Sequence, residues 1–216
     1  MNERIYGVLL NYANAIFSVL INFMYVPILL SFIGKNEYGI YQLIGALVGY
    51  ITVLERSISP GVTQYYTKFK ALDNKKQMEN ILATAFRIYG VVIAIIVLIA
   101  IIGYQFLGIL FKSVMTNNEI LLVKQMFILL VINLVITVFS SPINSAIMSF
   151  QRFRFLKLLS FVTLILQPIF SILILYKFPT SLVIVVVQTV LNIIFCGCRW
   201  YYALNILKVK IHYYEW

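Results

Sequence analysis

Acidic and imidazole side chains are scarce in this sequence. It has seven Asp and Glu among 216 residues, Asp73 being the single aspartate, and one histidine, His212. Without clustered carboxylates or imidazoles there is no acid–base pair and no metal-ligand set, so neither an enzyme nor a metal or other cofactor is expected. No G-x-x-x-x-G-K-[ST] run is present to cradle phosphates, so the chain does not hydrolyse ATP itself, and it does not look like a glycosyltransferase. The two cysteines, Cys196 and Cys198, are too few for a disulfide framework and lack a neighbouring histidine, so they read as packing residues. Long polar stretches are missing too, which leaves no room for a separate soluble domain.

Apolar residues fill the space. They make up 62% of the chain, against 11% charged residues, and mean hydropathy is +0.95. Uninterrupted apolar runs of about 20 residues recur, each enough to cross a bilayer as a helix. The pattern predicts an all-α integral membrane protein, a bundle of six transmembrane helices over 5–33, 38–66, 81–110, 120–149, 158–178 and 182–205. These form one lobe, 1–205, followed by an interfacial tail, 206–216, on the inner membrane surface. Tyr38, Tyr41, Tyr65, Tyr66, Tyr104, Tyr176, Trp200, Tyr201 and Tyr202 mark span ends, as an aromatic belt does. The first apolar segment is too long for a signal-peptide core, so it is expected to stay as the first span.

The formal net charge is +10. In a soluble chain that would suggest nucleic acid; here the charges sit in loops, and no nucleic-acid partner is expected. One side carries Arg4, Lys68, Lys70, Lys75, Lys76, Arg152, Arg154, Lys157, Lys208 and Lys210. The other carries Lys35, Lys112 and Lys177, one per loop. The positive-inside rule then places both termini in the cytoplasm, where the same residues meet anionic membrane lipids.

Polar residues inside the spans fall on stripes. Asn11, Asn14, Ser18, Asn22 and Tyr25 are spaced by three or four and share an arc of about 80° at roughly 100° per residue. The second span continues the pattern with Gln42, Gly45, Gly49, Thr52, Arg56, Ser59 and Thr63. The fourth has Asn133, Thr137, Ser140 and Asn144, and the fifth Ser160, Thr163, Gln167 and Ser171. Gln188 and Asn192 form a weaker pair in the sixth. Val91 to Ile102 of the third is wholly apolar and should face lipid. Unsatisfied polar groups in hydrocarbon cost several kcal/mol each, so the stripes must meet protein or a wet cavity. They are either hydrogen-bonding glue between helices or the wall of a transport path. Pro27, Pro60, Pro142 and Pro168 fall one in each of the four striped spans, where each frees a carbonyl and permits bending.

Glu55 and Arg56 are the ionisable pair well inside a span, and a mid-bilayer charge costs roughly 2.5–3.5 kcal/mol on insertion scales. Arg56 offers a cationic fork to an anionic substrate group, or it belongs to an internal ion pair. Arg87, near the inner end of the third span, is expected to snorkel to the interface.

The stretch Ile33-Gly-Lys-Asn-Glu-Tyr-Gly-Ile-Tyr41 resembles the LG-x-x-x-Y/F-G turn of bacterial polysaccharide flippases. That family, which moves O-antigen and capsule repeat units, belongs to the multidrug/oligosaccharidyl-lipid/polysaccharide exporter superfamily. Leu54 to Lys68 stands where the family has its G-L-x-x-A-x-x-R segment, with Gln64 at the usual arginine position. Asp73 and Lys75 fit the loop that follows. The resemblance implies a flippase of undecaprenyl-pyrophosphate-linked oligosaccharide in the bacterial cytoplasmic membrane, working by alternating access. The sugar-facing or pyrophosphate-facing residues would be Asn11, Asn14, Ser18, Asn22, Tyr25, Thr52, Glu55, Arg56, Asn144 and Gln167. The family has twelve to fourteen spans, so six imply one lobe, completed by a second lobe or a second copy of the chain. Two alternatives are a multidrug or cation exporter of the same superfamily, which calls for an acidic cavity, and a non-transporting assembly partner in envelope synthesis.

Overall fold

The computed structural model describes the backbone of residues 3–113 and 115–213; the side chains of residues 3–8, 10 and 51–57 lie outside the description. Among the described residues every regular element is a helix. The first helical run, Glu3–Ala71, would be about 100 Å long if straight, some three times a bilayer core. It is broken at Gly34, whose φ of 72° and ψ of 170° suit glycine alone. We call residues 3–33 α1 and residues 35–71 α2. They are followed by α3 (Lys75–Phe111), α4 (Asn117–Ser149), α5 (Phe153–Leu175) and α6 (Ser181–Tyr201), with a π-helical turn, Tyr202–Ile206, continuing α6.

The chain reverses at Gly34. Asn14 of α1 bonds the carbonyl of Lys157, while Ser59, Thr63 and Lys70 of α2 reach Ser145 and Ser149, so both helices descend to the α4–α5 turn. The Gly34 turn lies at the opposite end, where Asn36 meets Glu119 and Glu37 meets Ser181. The six helices therefore run alternately up and down. Five stretches are long and apolar enough to cross a membrane, and the first of these, Asn11–Tyr50, contains the Gly34 break. Five to six helices thus have the length and composition of membrane spans.

α4 is the hub. Its buried residues are spread from Val123 to Ser149, and it packs against α2, α3 and α6. The run Val91–Ile102 in α3 is rich in β-branched residues that would favour a strand in water. In hydrocarbon a strand would leave backbone groups unpaired, whereas a helix satisfies them internally. Its outer face, with Val91, Leu98 and Ile102, is open, while Ile96 and Ala100 seat in the core. All four striped spans carry their proline inside a helix.

Helix ends reach beyond the apolar runs. α2 continues to Ala71 and α3 begins at Lys75, capped by Asn74, whose Oδ1 accepts from the Gln77 amide at 3.1 Å. α4 opens on a reciprocal cap between Thr116 and Glu119. The tail is anchored on the end of the bundle. Val209 is 5% exposed and packs with Tyr66, Leu82, Ile143 and Ile147, so the tail folds back under the bundle. Arg87 lies 3.6 Å beneath the Tyr213 ring, so a tail aromatic covers the guanidinium.

Candidate functional site

The polar face of α1 meets the polar face of α5, and the two helices run parallel. Their register is fixed by Asn14 against Lys157, Phe17 against Phe161 at 5.4 Å and Phe32 against Tyr176 at 4.9 Å. Lys157 Nζ donates to Asn11 Oδ1 at 2.6 Å, and Asn14 Nδ2 donates to the Lys157 carbonyl at 3.2 Å. One end of the stripe is therefore a helix-to-helix clamp. Lys157, assigned to a loop by its charge, supplies it because α5 begins at Phe153.

Further along, the stripe changes character. Asn22 is exposed, and among the described residues its Nδ2 reaches only Ser18 Oγ, at 3.3 Å on the same helix. Tyr25 is turned inward among Leu29, Ile33, Leu175 and Ile184. Its hydroxyl lies beside Ser171, yet neither oxygen meets hydrogen-bond geometry with a partner among the described residues. Among the described residues Asn14 Oδ1 and Asn144 Oδ1 are also buried without a partner. On α5, Ser160 and Thr163 bond carbonyls of their own helix, and Gln167 is half-buried one turn before Ser171. The side chains of Thr52, Glu55 and Arg56 lie outside the described residues.

Two other seams consume polar residues for packing. Between α2 and α4, Ser59 Oγ lies 3.2 Å from Ser145 Oγ, and Ser149 Oγ donates to the Thr63 carbonyl at 3.1 Å. Between α4 and α6, Asn192 Nδ2 faces Asn133 Oδ1 at 2.5 Å, the Asn133 carbonyl at 3.1 Å and Thr137 Oγ1 at 2.9 Å. Cys196 Sγ sits 2.6 Å from Ser140 Oγ, consistent with a packing residue. At the opposite end, Glu37 accepts from the Ser181 amide at 2.8 Å and caps α6. That gives the Gly34 turn a structural task that its motif did not reveal, since the partner is 144 residues away.

Among the described residues no three His, Cys, Asp or Glu side chains gather. What remains chemically is a set of neutral donors and acceptors, some clamped and some open, along α1 and α5. Comparison with protein-family models, curated proteins and solved structures finds no match to this chain.

Proposed function

We propose that this chain is one lobe of a flippase in the bacterial cytoplasmic membrane. Its cargo is a lipid-linked oligosaccharide of the undecaprenyl-pyrophosphate type, carried from the inner to the outer leaflet for surface polysaccharide synthesis. Both termini lie in the cytoplasm, on the side richer in lysine and arginine.

The observation that carries the reading is Asn22. It lies twelve residues from Gly34, so about 18 Å along the helix, close to the middle of a core about 30 Å thick. An exposed amide at that depth costs several kcal/mol against lipid. Water or a second lobe must therefore cover it, and a sugar's hydroxyls are suited to bond it. The oxygens of Asn14, Tyr25 and Ser171, without a partner among the described residues, add further capacity along α1 and α5. Arg56 is the proposed contact for pyrophosphate.

The clamp of Asn11 and Asn14 on Lys157 favours a second reading, a non-transporting assembly partner whose polar residues are only glue. Asn22→Ala and Arg56→Ala separate the two. The flippase reading expects surface glycan to be lost with the amount of membrane-inserted protein unchanged. Normal glycan in both variants would leave the assembly partner standing.

A further inference from the structure

The inner end of the bundle holds a groove of about 490 Å³ that the transport reading does not use. Four lysines line it, Lys70, Lys75, Lys208 and Lys210, against two carboxylates, Asp73 and Glu79. The fold builds this arrangement rather than leaving it to mobile loops. Val209 is pinned in the core, and its amide bonds the Ala203 carbonyl at 3.0 Å. Lys208 is held in the left-handed region at φ 52°. The lysines on either side of Val209 are thereby brought to the groove.

Lys70 Nζ donates to the Ser149 carbonyl at 3.2 Å and lies 4.0 Å from the centre of the Phe150 ring. Burial first, and then the nearby Arg152, hold its ammonium below the usual lysine range. Like charges gathered with too few carboxylates are calmed by an anion. The remaining walls are apolar: Tyr66, Met78, Phe150 and Leu207. A free inorganic anion gains nothing from such walls, while an amphiphile gains from both kinds.

We propose that this groove binds the phosphate-bearing headgroup of an anionic membrane lipid, with the adjoining glycerol and upper acyl chain against its apolar walls. The site ties the tail and the α2–α3 turn to the inner leaflet. It rests on the membrane-spanning part of the reading above and not on the cargo, so loss of flipping with intact lipid selectivity would leave it in place.

The test is binding of a fluorescent short-chain phosphatidylglycerol to the purified full chain in neutral detergent, followed by anisotropy. Saturable binding is expected, with phosphatidylcholine at least about tenfold weaker and inorganic phosphate at equal ionic strength unable to compete. Lys208→Gln and Lys210→Gln should each weaken binding by about fivefold, the usual contribution of one basic residue at an anionic surface. Asp73→Asn removes an opposing charge at a position with φ of 49°, which asparagine tolerates, and should tighten binding. Lys112→Gln, at the other end of the bundle, should leave it unchanged. Equal binding of both lipids, or indifference to Lys208→Gln and Lys210→Gln in a protein that still folds, would overturn the proposal. Competition by inorganic phosphate would replace the lipid site with a site for free anions.

Discussion

Replacing Asn192 with leucine removes the amide that joins α4 to α6, and the structure fixes how much that should cost. Three oxygens surround Asn192 Nδ2, but an NH₂ group has only two hydrogens, so at most two good bonds form at once. Side-chain hydrogen bonds between membrane helices average about 0.6 kcal/mol and reach about 1.7. The Asn192→Leu loss is therefore about 1–3 kcal/mol. Asn133→Leu should cost less. It deletes one acceptor but leaves the Asn133 carbonyl for Asn192, and it also removes Asn133 Nδ2, already buried without a partner. The double variant should recover part of the sum, because no stranded amide remains. Reversible unfolding in mixed micelles, run as a double-mutant cycle, reads all three values. A coupling energy of zero, or a cost for Asn133→Leu at least equal to that for Asn192→Leu, would refute the reasoning.

Gly34→Ala should destabilise by about 1–3 kcal/mol. Among the described residues no atom beyond the adjoining chain lies within 4 Å of the added methyl, so the effect is backbone strain, and a lowered thermal midpoint in detergent would report it. Glu37→Gln weakens the cap on α6 and should cost about 0.5–1 kcal/mol in the same assay, with the loss shrinking at high salt. In a chain carrying Cys196→Ala and Cys198→Ala, an impermeant thiol reagent added to intact cells should label Lys177→Cys and spare Lys76→Cys; the reverse pattern would invert the proposed topology.

The helices were legible because apolar runs long enough to cross a bilayer stand out in a sequence. Runs such as Val91–Ile102 read as helices, and the prolines and stripes of four other helices could be counted. Helix ends were less legible, since α3 and α5 begin in polar sequence, at Lys75 and Phe153, where capping and tertiary contacts extend the helix beyond its apolar part. The anchoring of the tail on the bundle was not legible, because Val209, one buried apolar residue among lysines and aromatics, carries no periodic signal. The stripes were visible, but their use was not. Asn14 is spent on Lys157, 143 residues away, while Asn22 on the same face stays open. Local spacing predicts which residues share a face; only the packing of distant helices decides which of them remain free.

The central claim is movement of a lipid-linked sugar between leaflets, and its leaflet position in the native cell measures that directly. Spheroplasts carrying the wild-type chain or Asn22→Ala would be treated with an impermeant reagent that modifies the oligosaccharide only when it faces outward. In the variant the outward fraction should collapse while the total pool of lipid-linked oligosaccharide rises. An unchanged outward fraction, with the variant inserted at normal levels, would contradict it.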